Sequence, residues 1–359
     1  MNIAMLLSGG VDSSVALALL KNAGHKVTAF YLKIWLEDEL SFLGDCPWEQ
    51  DLAYARSVCE KLDIELKIVP LQTEYKERVI AYTIAEIKAG RTPNPDMMCN
   101  PLIKCGAFYE TIGDTFDKIA TGHYADLVER DGFFYLKQTP DAIKDQTYFL
   151  ARLSQEQLSR MIFPLGKLTK QEVRALAETY DLPTKARKDS QGLCFLGKIT
   201  FKDFIKCHVG TQVGELVEYE TGNVLGTHEG FWFYTHGQRQ GLGLAGGPWY
   251  VVKKDPALNI VYISNTYHGE DKMRDTFYVS NMLWVNGPVV GKLWVKLRHG
   301  PQMHSAMVTA MGTSGTFLVT LDQRDQGIAP GQFAVFYDEN KICIGSGSMN
   351  EYSLEEGCI

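Results

Sequence analysis

The sequence predicts an α/β fold: a parallel-sheet domain first, then a small β-rich central domain, then a C-terminal β-barrel or sandwich. Three observations predict it. Apolar, β-branched runs alternate with amphipathic helical stretches through the first half of the chain. The first apolar run ends in a serine–glycine loop that opens a helix. After about Thr200, glycine-rich turns and short alternating runs replace the helices. The expected domains are residues 1–200, 201–274 and 275–359.

Asn2 to Leu7 is a short apolar run and reads as a buried strand. Val15 to Leu20 is rich in helix formers, with Gly24 where a helix-ending glycine belongs. Val27 to Leu32 is a second strand, Gln50 to Leu62 an amphipathic helix and Ile64 to Val69 a third strand. Glu74 to Ala89 is a long helix closed by Gly90. A proline-punctuated loop, Arg91 to Pro101, leads to a helix near Ile103 to Ile112 and a strand near Lys118 to Thr121. Beyond Lys206 the strand candidates are Trp249–Val252, Ile260–Ser264, Leu293–Leu297, Ala306–Ala310, Thr316–Leu321 and Gln332–Tyr337, with no long helix.

The 359 residues are 45% hydrophobic and 22% charged, the composition of a globular chain with cores. No apolar run approaches the ~20 residues of a membrane span. The N-terminus MNIAMLLSGG has neither a basic leader nor an Arg-rich presequence, so cytoplasmic residence is expected. The eight cysteines are scattered without a C-x-x-C pair, which fits a reducing compartment and argues against a structural zinc site. Cys59, Cys207, Cys343 and Cys358 read as packed residues, Cys105 likewise, and Cys46 stays ambiguous. A net charge of −7 argues against indiscriminate polyanion binding. The basic run Lys185, Arg187, Lys188 reads equally as a local RNA patch or a solvated loop.

Ser8-Gly9-Gly10-Val11-Asp12-Ser13-Ser14 follows the first strand and opens the first helix. Outward-pointing N–H groups and the helix N-terminus suit a phosphate, and glycine lets the backbone approach it. Asp12 is a candidate magnesium ligand. The bland alternative is a corner with Asp12 or Ser13 as N-cap. The string is neither a Walker A loop nor G-x-G-x-x-G. It resembles the PP-loop of the N-type ATP pyrophosphatases, which implies cleavage of ATP to AMP and pyrophosphate with adenylation of an oxygen.

Two cysteine segments point to the acceptor. Gly90-Arg91-Thr92-Pro93-Asn94-Pro95-Asp96-Met97-Met98-Cys99-Asn100 is a polar, proline-stiffened stretch ending in a cysteine, with Asp96 close in sequence. Lys188-Asp189-Ser190-Gln191-Gly192-Leu193-Cys194-Phe195 places another cysteine in a basic stretch, where nearby cations favour the thiolate.

With ATGHYA, KDQTYFL, HGQRQGLG, PWYVV and PGQFAVFY, these segments make the chain closely similar to the bacterial-type tRNA-specific 2-thiouridylases along nearly its whole length. The resemblance implies a PP-loop ATP pyrophosphatase domain, a central domain and a C-terminal β-barrel. It implies ATP-dependent 2-thiolation of the wobble uridine of tRNA, with ATP and Mg²⁺ as cofactors and a persulfide sulfur-donor or relay protein as partner. Leu6, Leu7, Ser8, Gly9, Gly10, Val11, Asp12 and Ser13 would surround the phosphates, and Leu32 and Gly122 the adenine. Asn94, Pro95 and Asp96 would face the base, Asp96 as acid, base or positioning group. His123, Lys144, Asp145, Gln146, Arg298, His299 and Gln332 would contact tRNA, with Lys185, Arg187 and Lys188 as further phosphate contacts. Cys194 would carry the persulfide and Cys99 would be the nucleophile that completes transfer, leaving a Cys99–Cys194 disulfide, with the alternative that Cys99 first reduces the persulfide to free sulfide. Two departures stand out. Gln191 takes a place where many relatives have threonine, and Cys105 takes an expected aromatic position and adds a cysteine near Cys99. An iron–sulfur-dependent tRNA thiolase, another PP-loop adenylating ligase and a non-enzymatic RNA-binding module stay open as alternatives.

Overall fold

The computed structural model describes residues 1–35, 48–188, 200–266, 274–312, 315–325 and 327–350. Its first domain is built on a parallel sheet of β1 (Asn2–Leu6), β2 (Lys26–Lys33), β3 (Leu66–Pro70), β4 (Lys118–Ala120) and β7 (Met161–Ile162). The spatial order is β3-β2-β1-β4-β7, every pair parallel. Chain order therefore reverses direction across the β1/β4 boundary, which makes that boundary the switch point where α/β sheets bind ligands. Strand β1 is apolar from Ile3 to Leu6 because both faces are covered there. Ala4 and Leu6 enter one core, and Ile3, Met5 and Leu7 enter the other. The hairpin β5 (Asp126–Arg130) and β6 (Phe133–Lys137) lies outside this sheet.

The four helices predicted before Lys118 are present with shifted ends, whereas Gln155–Ser159, Lys170–Thr179 and Phe201–Val209 were not predicted. Val11–Asn22 begins earlier than its apolar stretch, and Gly24 beyond it takes φ +78°, as a helix-terminating glycine does. The helix Trp48–Leu62 packs on the sheet through Leu52, Ala55, Val58 and Cys59. Gln72–Tyr75, Lys76–Ile80 and Ala81–Lys88 are one helical run with a wide π turn in the middle, closed by Gly90 at φ +78°. The stretch Arg91 to Pro101 departs from expectation, because only its first half is loop. Asn94 caps a helix from Pro95 to Cys99, which continues through a π segment (Asn100–Ala107) into Phe108–Ile112. Gly106 fits this wide turn: a Cβ there would lie 2.7 Å from the Pro101 carbonyl oxygen.

A helix, Phe201–Val209, leads into the central sheet: β8 (Gly214–Glu218), β9 (Val224–His228), β10 (Tyr250–Asp255) and β11 (Ile260–Ser264), ordered β10-β11-β8-β9. The last domain is a closed antiparallel barrel of β12 (Arg274–Trp284), β13 (Gly291–Lys296), β14 (His304–Met311), β15 (Thr316–Asp325), β16 (Phe333–Tyr337) and β17 (Cys343–Asn350). Closure leaves no open edge. The barrel also shares a core with the first domain, since Phe333, Val335 and Tyr337 pack with Tyr148, Leu150 and Leu153. No described helix is long and apolar enough to cross a membrane.

Candidate active site at the switch point of the sheet

The phosphate loop leaves the C-terminal end of β1. Gly9 takes φ +76°, and a Cβ there would lie 2.2 Å from the Asp51 carbonyl oxygen, so only glycine fits. Gly10, not Asp12 or Ser13, is the residue before the helix, and no side chain caps it. The first-turn N–H groups thus face the loop without a side-chain acceptor, the arrangement that suits an anion. The hydroxyls shape the turn from within: Ser13 Oγ lies 3.1 Å from Ser8 Oγ and donates to the Gly10 carbonyl at 3.1 Å, and Ser14 Oγ donates to the same oxygen at 2.8 Å. Leu32 sits near the same end of the neighbouring β2, partly buried.

Asp12 is held by two groups that motif reading missed. Lys170 Nζ lies 2.7 and 2.9 Å from its two oxygens, and the Tyr124 hydroxyl donates to it at 2.8 Å. Lys170 opens a helix, Lys170–Thr179, fixed by a capping box of Thr169 and Glu172. The Thr169-x-x-Glu172 pattern marks that helix start in the sequence, but nothing in it points across 158 residues to Asp12. The acidic oxygens and the phosphate-ready turn fit a magnesium ion beside a nucleotide, with the Lys170 ammonium already supplying positive charge there.

Gly122, at the end of β4, closes the other side of the switch point. A Cβ on it would lie 2.7 Å from the Ser13 nitrogen. The next residue, His123, reaches toward the cysteine helix. Its Nδ1 lies 2.8 Å from Thr121 Oγ1 and its Nε2 lies 3.4 Å from Lys104 Nζ. Burial, reinforced by the Lys104 charge, holds this imidazole well below 6.5, so it is neutral near pH 7. The chain segment Gly122–His123 thus links the phosphate loop to Lys104, five positions after Cys99.

Cys99 ends the Pro95–Cys99 helix and is buried. Asn100 beside it is also buried, and its Nδ2 donates to the Asp96 and Phe149 carbonyls at 3.0 and 2.9 Å. Cys105 is packed as expected: its thiol contacts Met161 sulfur at 3.4 Å, and burial pushes it up to about 12. Cys59 and Cys343 are buried too, whereas Cys207, expected to be packed, is exposed. Cys46, Cys194 and Cys358 lie outside the described residues. Among the described residues no group of three His, Cys, Asp or Glu side chains is placed to hold a metal ion.

Asn94 Oδ1 accepts from Met97 N at 3.2 Å, the N-cap bond of the cysteine helix, and Pro95 takes the first helical position. Asp96 lies in the first turn. The other side of Asn94 meets the barrel. Its Nδ2 donates to Gln332 Oε1 at 3.1 Å, and Gln332 Nε2 donates to the Thr92 and Pro93 carbonyls at 3.2 and 2.8 Å.

The residues expected at the RNA surface divide. Lys144 and Gln146 are half-buried, and Gln146 Oε1 accepts from Tyr124 N at 2.9 Å. Asp145 corrects the expectation. Its side chain is wholly buried, and its carboxylate accepts from Lys296 Nζ at 2.8 Å and from Thr147 Oγ1 at 2.9 and 3.1 Å. It ties the barrel to the first domain and offers RNA no side-chain atom. Arg298 is exposed, with its guanidinium held by Asp325 through two 3.0 Å bonds. His299 is exposed and stacks on Phe149, ring centres 4.7 Å apart. Within the basic run, Arg187 turns inward, donating to the Gly9 carbonyl at 2.7 Å and pairing with Asp51. Lys185 pairs with Asp181 at 2.7 Å, while Lys188 is exposed.

Comparison with known proteins agrees with this architecture domain by domain. The chain matches family models described as tRNA methyl transferase HUP domain over residues 1–198, tRNA methyl transferase PRC-barrel domain over 202–265 and aminomethyltransferase beta-barrel domain over 274–349. It is 46% identical to the tRNA-specific 2-thiouridylase MnmA of Parabacteroides distasonis, over 97% of this chain and 98% of that protein. It is also 46% identical to MnmA 1 of Bacteroides thetaiotaomicron, over 97% and 99%, and 44% identical to MnmA 2 of Bacteroides fragilis, over 97% and 100%. Identity at this level along the full length, with the phosphate loop and the Cys99 helix joined through Gly122 and His123, places the chain in the tRNA-specific 2-thiouridylase family.

Proposed function

We propose that this protein is an ATP-dependent tRNA-uridine 2-sulfurtransferase acting on the wobble uridine. The observation that carries the reading is the juxtaposition at the switch point. The uncapped phosphate loop touches Gly122, and His123 beside it reaches Lys104 in the helical segment that continues from Cys99. Activation and sulfur transfer must meet at one uracil carbon, and this arrangement brings their two sites together.

ATP is a substrate. The N–H groups of the first helical turn bind its phosphates, and Asp12 with Lys170 faces them. A magnesium ion bound at Asp12 would neutralise phosphate charge. Attack of the uracil O2 on the α-phosphorus forms the adenylate and releases pyrophosphate. A persulfide on Cys194, supplied by a donor or relay protein, attacks C2 through its terminal sulfur. The C2–O bond breaks and AMP leaves with the electron pair. Cys99 thiolate then attacks the Cys194 sulfur, releasing 2-thiouridine and leaving a Cys99–Cys194 disulfide that an external thiol must reduce. Neutral His123 and buried Asn100 flank this route without bringing a negative charge of their own. Asn94, Pro95 and Asp96 meet the extruded base, which unstacks from the anticodon loop at modest cost.

The test uses purified protein, substrate tRNA, ATP and a persulfide donor. Nucleoside mass spectrometry should find 2-thiouridine, with AMP as the nucleotide product. Formation of ADP instead would exclude adenylation. Cys99→Ser and Cys194→Ser should both abolish 2-thiouridine yet still adenylate tRNA and release pyrophosphate. Cys99→Ser should accept radiolabelled sulfur on the protein, and Cys194→Ser should not. The opposite labelling pattern would reverse the two roles.

A further inference from the structure

The segment Gly90 to Asn94, which leads into the base-facing helix, is not held by its own domain alone. At its start Gly90 takes φ +78°, and a Cβ there would lie 2.4 Å from Pro256 Cγ of the central domain. One residue on, Arg91 is pinned to Glu86 through two bonds of 2.6 and 2.7 Å. The rest is held by the barrel. Thr92 N donates to the Pro330 carbonyl at 2.8 Å. Gly331 takes φ +89°, and a Cβ on it would lie 2.8 Å from Arg91 Cβ and 2.9 Å from the Thr92 oxygen. Gln332 uses its whole amide: the oxygen accepts from Asn94, and the nitrogen donates to the Thr92 and Pro93 carbonyls.

We propose that the barrel's Gly331–Gln332 corner is a latch that positions the base-facing loop, with Gln332 acting on it through Asn94 and the Thr92–Pro93 backbone. This rests on the proposed function for its consequence, but not for its geometry. A loop of this kind, with prolines interrupting its own donors, has few internal bonds to define it. Three side-chain bonds and one backbone bond from the barrel replace them. The barrel also carries the exposed Arg298 and His299. A tRNA seated against them is therefore in fixed register with Asn94, and loss of the latch loosens that register. Misplacement of about 1 Å at such a point costs on the order of 100-fold in rate.

Three variants of the full-length protein test this: Gln332→Leu, Gln332→Glu and Gly331→Ala. Gly331→Ala is the discriminating one, because it removes no donor or acceptor and acts only by crowding Arg91 and Thr92. Gln332→Glu keeps the acceptor for Asn94 and loses both donors. The first readout needs no tRNA: trypsin cleavage after Arg91, followed by mass spectrometry. All three variants should be cut several-fold faster there than the wild type, with thermal midpoints near the wild-type value. The second readout separates binding from turnover. Turnover at saturating tRNA should fall at least about tenfold in all three variants, and in Gly331→Ala, which removes no side-chain group, the tRNA Kd should change by less than about threefold. Wild-type cleavage rates in all three variants would overturn the latch. So would normal turnover at saturating tRNA in all three variants. Faster cleavage in the variants together with no 2-thiouridine from the wild type would sink the proposed function and leave the latch standing. If Gly331→Ala fails to fold, the two Gln332 variants still give the cleavage rate and the turnover at saturating tRNA.

Discussion

Asp12 belongs to a legible motif, yet its partners come from elsewhere in the chain. The loop string gives the carboxylate and the glycines, because both are local demands of a phosphate-binding turn. It does not give Lys170 or Tyr124, because they arrive by tertiary packing. Lys170→Met tests what that ammonium does. If it helps bind phosphate, the KM for ATP should rise about tenfold in pyrophosphate-release assays, with little change in thermal midpoint. A lower midpoint with unchanged KM would make Lys170 a structural partner of Asp12 alone. A second residue-scale prediction concerns pH. His236 in the central domain is driven down to about 3 by burial first, then by Arg274 and Lys254. Unfolding returns it toward 6.5, so between these values the unfolded chain binds the extra proton. Its contribution to stability is full above 6.5 and declines as pH falls. Each pH unit in that window costs at most about 1.4 kcal/mol. His236→Asn should flatten the fall in denaturation midpoint between pH 6.5 and about 4. An unchanged slope would mean the ring is protonated in the folded protein.

At the scale of elements, periodicity was a good guide and boundaries were not. Buried strands such as β1 and β16 announce themselves as apolar runs because both faces are covered. Strands β5 to β9, β12 and β17 went unpredicted. Val224 is exposed in β9, and glycines and serines dilute the apolar pattern of β17. The helix that carries Cys99 was misjudged for a different reason. Its prolines suggested loop, although Asn94 followed by Pro95 is a strong start signal, with the N-cap acceptor first and the fixed φ second. Asn94 therefore has two jobs that substitutions can separate. Asn94→Asp keeps the cap acceptor and loses the donor to Gln332, while Asn94→Ala loses both. The Asp variant should retain wild-type stability within about 0.5 kcal/mol, and the Ala variant should lose about 1 kcal/mol, measured by urea unfolding. Both should thiolate poorly. Full activity in Asn94→Asp would show that the bond to Gln332 has no part in positioning the loop.

Across the whole molecule, the three-domain order was readable from the change of composition, because turn-rich β segments look different from alternating strands and helices. The seams between domains were not readable. The KDQTYFL segment suggested an RNA contact, yet Asp145 within it is buried against the barrel. Lys296 and Asp145 are almost fully enclosed, and Thr147 bridges onward to the Tyr337 hydroxyl at 2.9 Å. An ion pair taken from water gains little net stability, since desolvation offsets attraction, but breaking one half leaves a buried charge alone. This asymmetry predicts the outcome of a double-mutant cycle. Lys296→Met should destabilise the protein by about 3–5 kcal/mol, and Asp145→Leu by a similar amount. The double variant should recover much of that loss, because neither charge remains to be solvated. Because the pair joins two domains, the single variants should also lose thiolation more steeply than ATP binding: the barrel's hold on the loop from Arg91 to Asn94 depends on its docking, while the phosphate loop has its own frame in β1 and β4. Urea unfolding together with nucleotide binding at equilibrium would measure both effects. Additive single losses in the double variant would show that Asp145 and Lys296 stabilise the seam separately, through packing, and would remove the pair as the coupling between the barrel and the catalytic domain.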